Sequence, residues 1–307
     1  MKTIIVIGNG FDIDLGWRTS YKDFYDSKKD EWNKFRTDED DLFQYVIKNA
    51  GENWYDLERT IYNYCIAMSK ELPSEEKMRK DLEDYKNFKN QLVHFIKQRS
   101  AEQVKEKSYA YHLLKFFIEQ RCPQGFYNEM DSEWFSFNYT PLDKVARQIN
   151  PSVVFNYTAI HGTLENNNCI FGFHDDKQIK GQYRLIQKSL DDDYEPHVIY
   201  PALSEADRFI FFGLSMGFID AVYFKDIFEQ ISKPINSNNR TPKEIIFITR
   251  DKGSMRDIKM NLQDIGINIQ SLMTNNEVNF ILTSTGFEEN TINNMFYERP
   301  RSEGTKL

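Results

Sequence analysis

Cysteine is scarce in this chain: Cys65, Cys122 and Cys169 are the only three among 307 residues, and they contain no Cys-x-x-Cys pair. That excludes a paired disulfide framework and a four-thiolate zinc ribbon, and it points to a reducing cytoplasm. Long apolar runs are missing as well. The cleanest, residues 4–7 and 209–212, fall far short of the roughly 20 residues that cross a bilayer, so no membrane partner is expected. The apolar run between Lys2 and Gly8 is too short for the core of a signal peptide. Positive charge is in deficit, with 39 Lys plus Arg against 47 Asp plus Glu, a net charge of -8 and a pI of about 5.3. A field of that sign argues against nucleic acid as a partner, a local basic groove aside.

Large apolar side chains, by contrast, are plentiful. Hydrophobic residues make up 40% and aromatics 15%, including 24 Phe and 17 Tyr, which is ample surface to bury and excludes a disordered chain. A mean hydropathy of -0.64 with 28% charged residues describes a wet exterior. The length suits one large domain or two small ones.

Residues 2–7 form a β-branched run that stops at Gly8-Asn9-Gly10, the pattern of a buried first strand ending in a sharp turn. Thr19 or Ser20 can cap a following helix, with Asp23 placed to return the bond. Between Asp30 and Gln120, Gly and Pro almost vanish and apolar residues recur at spacings of three and four. Leu57, Ile61, Tyr64 and Met68 form one stripe; Met78, Leu82, Tyr85, Leu92 and Ile96 form a second, behind the cap Ser74 with Glu75 and Glu76. Tyr109, Leu113, Phe116 and Phe117 continue the pattern, and Pro123-Gln124-Gly125 closes it. Strand signals return at 134–137, 153–155, 169–171, 209–212, 245–249 and 278–282, alternating with helical candidates at 221–231 and 253–263. The expectation is an α/β fold: a Rossmann-like, mainly parallel sheet flanked by helices, made from 1–29 and 121–290. A helical insertion occupies 30–120, and 291–307 is a tail. The stretch 236–242 reads as a polar loop.

A Gly-x-Gly turn directly after a first strand is how dinucleotide folds bring backbone N–H groups up to a phosphate. Here Ile13 stands where the third glycine belongs, and Asp12 and Asp14 would repel a pyrophosphate, so Asp12 suits a ribose hydroxyl or a helix cap better. A tight turn that needs glycine for steric reasons accounts for the same residues. Gly213-Leu214-Ser215-Met216-Gly217 has the form of a nucleophile elbow, but all five histidines precede Ser215 and the triad order fails. What remains is a plain strand-to-helix turn or a second phosphate-binding turn.

Asn138 and His161-Gly162 fall after strand signals, where open α/β sheets place ligand-binding groups. Taken singly, they also read as a turn residue before Pro141 and a buried imidazole satisfied by backbone. Trp54 and Glu58, four apart, share one helix face; the pair is either a site carboxylate beside an indole or an ordinary amphipathic contact. His174-Asp175-Asp176 reads as a surface turn, because adjacent residues rarely converge on one ion, and no metal is expected.

Taken in order, several segments resemble the AbiH family of bacterial abortive-infection, anti-phage proteins. They are Ile-Gly-Asn-Gly-Phe-Asp at 7–12, Leu15-Gly16, Thr19 to Phe24, Trp54 to Glu58, Phe-Asn-Tyr-Thr at 137–140, Ile160-His161-Gly162, Phe171-Gly172 and Gly213 to Asp220. That family in turn is similar to sirtuin-like NAD-binding defence proteins. The second resemblance implies NAD as substrate, hydrolysed at its nicotinamide–ribose bond. It matches Asn138 and His161 to the catalytic Asn and His. Gly8, Asn9, Gly10, Phe11 and Asp12, with Gly213, Ser215 and Asp220, fall on the cofactor-binding turns. Position 140 is Thr where those hydrolases usually carry Asp. The repeated Phe-Asn-Tyr-Thr at 155–158 makes Asn156 a rival to Asn138, which is preferred because it lies well before the His-Gly pair. The resemblance further implies an inert resting state released by a phage-derived trigger or partner protein. A homo-oligomer stays open. The alternatives are a non-catalytic nucleotide sensor, or a nuclease or phosphotransferase using Asp12, Glu58 and Asp220 with a divalent ion.

Overall fold

Two β-branched carbons in a row crowd a helix and suit a pleated surface, and residues 3–7 run Thr-Ile-Ile-Val-Ile. In the computed structural model they form β1 (Thr3–Ile7), buried along its whole length. The structure describes residues 1–35, 41–49, 57–71, 73–100, 102–120, 132–235, 241–288 and 290–297. The other strands are β2 (Ser132–Ser136), β3 (Thr158–Ala159), β4 (Arg208–Phe212), β5 (Glu244–Thr249) and β6 (Glu277–Leu282). They join in the order β3-β2-β1-β4-β5-β6, and every pairing is parallel. The expected α/β, Rossmann-like architecture is therefore present. The strand order reverses between β1 and β4.

The helices are α1 (Asn9–Asp14), α2 (Tyr21–Trp32), α3 (Leu42–Asn49), α4 (Leu57–Glu71), α5 (Glu75–Arg99), α6 (Tyr109–Gln120), α7 (Leu142–Ile149), α8 (Tyr200–Glu205), α9 (Lys225–Ile231), α10 (Lys252–Asp264), α11 (Ile269–Asn275) and α12 (Asn290–Tyr297). Two of their starts are set by the expected caps. Ser20 and Asp23 close a reciprocal capping box on α2, and Ser74 accepts from the backbone of Lys77 at the head of α5. No helix among the described residues is long and apolar enough to cross a membrane.

Alternate strand residues feed opposite faces. Ile4, Val6, Phe209 and Phe211 pack with α8 to α11, while Ile5, Ile7, Ile210 and Phe212 pack with α1, α6, α7 and α12. A third cluster joins α2 to α5 with buried residues of the 164–186 segment, including Phe171, Phe173 and Tyr183. These clusters divide the chain differently from the expectation. Helix α6 packs on the sheet, with Phe117 edge-on to Trp134, and α2 packs with the helical block. Residues 290–297, expected mostly as tail, form α12, whose Phe296 stacks on Phe116.

The expected strands at 153–155 and 169–171 are not strands. Cys169, Ile170 and Phe171 are buried, but a buried apolar run reports only burial. Here it belongs to irregular chain, fastened by Ile170 N–H to the His161 carbonyl at 2.8 Å. Pro123-Gln124-Gly125, Trp54, residues 236–240 of the polar loop and the last ten residues lie outside the described residues.

Candidate functional site

Because all strands run the same way, the turns after β1, β2, β3 and β4 emerge at one edge of the sheet. The ladder carries each strand slightly beyond its end: Gly8 N–H reaches the Phe212 carbonyl and Phe137 N–H the Ile7 carbonyl, both at 2.9 Å. The turns after β1 and β4 then lie backbone against backbone. Gly10 N–H donates to the Gly213 carbonyl at 2.9 Å. A Cβ on Gly10 would sit 2.5 Å from the Gly213 Cα, and one on Gly213, whose φ is +64°, 2.3 Å from the Phe11 nitrogen. Close approach of two chain segments therefore requires both glycines.

Asp12 lies on α1 just beyond this contact, and only 2% of it is exposed. The Asn138 amide donates to its Oδ1 at 3.1 Å and the Thr140 hydroxyl to its Oδ2 at 2.5 Å. Asn138 is itself fixed locally, because its backbone N–H and carbonyl both bond the Ser136 hydroxyl at 3.1 Å. Its amide also donates to the Gly8 carbonyl at 2.9 Å. Burial dominates the electrostatics: it raises the Asp12 carboxyl to about 7 against the pull of Thr140 and Asn138.

Ser136 and Ala159 are register partners, and Asn138 and His161 each follow two residues later, at the ends of adjacent strands. His161 is buried, its ring 5.2 Å from that of Phe137. Its Nε2 faces Lys188 Nζ at 3.1 Å and the Tyr223 hydroxyl at 3.4 Å. Desolvation, then the Lys188 charge, hold the imidazole well below its usual range, so it is neutral. Lys188 has no exposed side-chain surface and pairs with Glu58 Oε1 at 3.3 Å. The same oxygen accepts from Gly172 N–H at 2.9 Å. Glu58 stands in the first turn of α4, so this ion pair ties the helical block to the sheet edge.

The remaining predicted residues are spread around these two centres. Asn9 accepts from the Thr19 hydroxyl at 2.7 Å. Phe11 points into the core and packs edge-on against Phe212. Ser215 is exposed, with its hydroxyl 3.3 Å from Gly217 N–H. Asp220 is half-buried, one residue before the 3-10 turn Ala221–Tyr223 that carries Tyr223. Asn156 is exposed, whereas Asn138 is inside. The structure thus brings Gly8, Gly10, Asp12, Asn138 and Gly213 together, sets His161 beside them on the next strand, and leaves Asn156 apart.

His174, expected in a surface turn, is half-buried: its Nε2 meets the Ile219 carbonyl and its Nδ1 lies 3.5 Å from the Tyr194 hydroxyl. Among the described residues no group of three or more His, Cys, Asp or Glu is placed to hold a metal ion. Lys188, Tyr194 and Tyr223 were not singled out from the sequence. Lys188 stands in Ile-Gln-Lys-Ser-Leu, which carries no motif. Glu58 did show a signal, its spacing from Trp54.

A family model described as bacteriophage abortive infection AbiH matches residues 4–238, a span holding β1 to β4 and every site residue named above. No curated protein and no solved structure matches the chain.

Proposed function

The chain belongs to the bacteriophage abortive infection AbiH family, and from that premise we propose that it is an abortive-infection effector that takes NAD at this edge and hydrolyses the nicotinamide–ribose bond. The observation that carries the reading is the buried Asp12 carboxyl, poised at about 7 and held by Asn138 and Thr140. It stands on α1, directly after the strand beside which the order reverses, and open α/β sheets take nucleotides at that edge. A group titrating near neutrality is matched to general acid–base work.

Hydrolysis breaks the glycosidic C–N bond with its electron pair leaving on nicotinamide, through an oxocarbenium-like state. Water then forms the new C–O bond and yields ADP-ribose, nicotinamide and one proton. Asp12 accepts that proton, and Asn138 orients the water or a ribose hydroxyl. His161, matched by the resemblance to the catalytic histidine, is neutral with Lys188 on its Nε2, so in this form it lines the site. Gly10 N–H is already committed to Gly213, which puts recognition on the side chains around Asp12 rather than on that amide.

Asn138 and His161 are only 6% and 4% exposed. Entry of a nucleotide therefore requires a rearrangement around these side chains, for which the Glu58–Lys188 contact of the helical block is the point of control in this reading, and that suits an effector that stays inert in the cytoplasm until a phage-derived trigger or partner acts. The same closure favours a second reading, a nucleotide sensor whose helical block signals without turnover.

Proton NMR of the purified protein with NAD, following free nicotinamide over hours and saturation transfer in the same sample, separates the two. Nicotinamide released by wild type and lost with Asn138→Ala carries the hydrolase. Saturation transfer without nicotinamide carries the sensor, and neither signal removes NAD from the reading.

A further inference from the structure

The hydrogen-bond directions around His161 can be worked out from a fixed end. The Ile219 carbonyl only accepts, so the His174 Nε2 in contact with it carries a proton. Burial, then the charge of Lys188, lower His174 to about 4, so it is neutral and its Nδ1 is a bare acceptor. The Tyr194 hydroxyl, 3.5 Å away, therefore donates to Nδ1. Having spent its one proton there, Tyr194 accepts from the Tyr223 hydroxyl at 2.6 Å. Tyr223 then has no proton left for His161, so at 3.4 Å it does not compete with Lys188 as a donor to Nε2.

Two neighbours fix the ring itself. A bond to the Phe137 backbone favours a proton on one imidazole nitrogen, while Nε2 looks at the Lys188 ammonium at 3.1 Å. An ammonium has three donors and no acceptor, so a protonated Nε2 would set N–H against N–H. Nδ1 therefore carries the proton and Nε2 accepts from Lys188. Glu58, 3.3 Å from Nζ, supplies the opposite charge that lets an ammonium remain in a fully enclosed position.

From this geometry we infer that Lys188 and Glu58 are positioning residues of the site: Glu58 of the helical block holds Lys188, and Lys188 donates to Nε2 of His161, locking the ring as its Nδ1–H tautomer. The inference deepens the reading of the site as a catalytic edge, but it concerns the ligand-free chain and does not depend on NAD. It explains why a histidine at a strand end, in a position suited to a general base, has no free lone pair in the closed form.

The groups facing His161 are Lys188, His174 and Tyr223, with Glu58 behind Lys188. The test is long-range 1H–15N correlation of the imidazole nitrogens in the full-length, ligand-free protein, the His161 signals being those that vanish in His161→Gln. Wild type is expected to show a protonated Nδ1, a hydrogen-bonded but unprotonated Nε2, and no titration at the ordinary histidine value. A protonated Nε2, or a ring that titrates near pH 6.5, the ordinary histidine value, would overturn the inference.

In Lys188→Met the Nε2 resonance should move and the ring should titrate at higher pH than in wild type, since a like charge has gone. Unchanged resonances would assign Lys188 a purely structural role and sink the proposal. Glu58→Gln keeps the shape of the carboxylate, so it serves if the methionine variant does not fold. It should displace the same Nε2 resonance, and an unmoved one overturns the part given to Glu58. Because no nucleotide is present, either failure leaves the nicotinamide experiment standing, and failure of that experiment leaves these resonances as predicted.

Discussion

The side-chain amide of Asn138 and the carboxylate of Asp12 meet at 3.1 Å although 126 residues separate them in the chain. The same amide nitrogen also holds the Gly8 carbonyl. One side chain thus fastens the end of β2 to both the turn and the helix that follow β1.

Replacing it should be costly for that reason. Asn138→Ala takes the Asn138 donor from a buried carboxylate oxygen and one of two donors from the Gly8 carbonyl, which keeps the Phe11 N–H, and a stability loss of about 1–3 kcal/mol is expected. Asn156→Ala, at an exposed position, should change stability by no more than about 0.5 kcal/mol. Urea unfolding of both variants reads the difference, and equal midpoints would refute the separation of the two Phe-Asn-Tyr-Thr copies into site and surface.

Asp12 should make the protein less stable as pH rises. Its carboxyl is raised to about 7 in the fold and lies near 3.9 in an unfolded chain. Between those values the folded state keeps a proton that the unfolded state has lost, so stability is fullest below about pH 4 and falls up to about pH 7. Asp12→Asn preserves an acceptor for Asn138 and removes the titration. It should raise stability at pH 8 by up to about 4 kcal/mol, read as a higher unfolding temperature, and leave it nearly unchanged at pH 4, while nicotinamide release is lost. A variant whose gain is the same at both pH values would refute the burial of a proton at Asp12.

On the acid side the sign reverses. Burial and the Lys188 charge lower His174 to about 4, whereas an unfolded histidine titrates near 6.5. Only the unfolded chain takes up that proton, so stability is lost as pH falls from about 6.5 to about 4. His174→Gln should reduce the proton uptake on unfolding at pH 5 by about one, measured from the slope of unfolding free energy against pH. An unaltered slope would place His174 in water.

The two packed turns give a prediction about shape alone. Gly213→Ala places a Cβ 2.3 Å from a backbone nitrogen at a φ of +64°, so the β1 and β4 turns must separate and the variant should fail to fold or lose site binding. Gly266 has a similar φ of +94° with nothing within 4 Å of its Cβ position. Gly266→Ala should therefore cost only the left-handed backbone, about 1–2 kcal/mol. Thermal unfolding of the pair separates clash from strain, and equal losses would contradict the turn contact.

Much of the fold was legible because its signals are local. Five of the six strands announce themselves as β-branched or aromatic runs, and Ser20, Asp23 and Ser74 mark their helices through bonds to neighbours three residues away. Apolar stripes also predict α6 as a helix, but a stripe is the same whether it meets a helix or a sheet. That α6 meets the sheet, through Phe117 and Trp134, is visible only in the folded chain. The segment 169–171 shows the converse limit, since burial without a ladder has the composition of a strand.

The site divides in the same way. Gly8, Gly10, Asn138 and Gly213 can be located from sequence, because each follows a strand signal and parallel strands must end together; His161 follows the short β3, which has no such signal, and is reached through its His-Gly pair. Asp12 as the titrating group, Lys188 as the partner of His161, and Glu58 as the helical block's hold on Lys188 came only from the folded chain. A protonation state depends on how much water is removed and which charges replace it, and those are set by residues 27 and more than a hundred positions away. Sequence alone determined which residues stand at the sheet edge, through local pattern and strand direction. Tertiary packing decided which of them lose solvent, and hence which carry a proton.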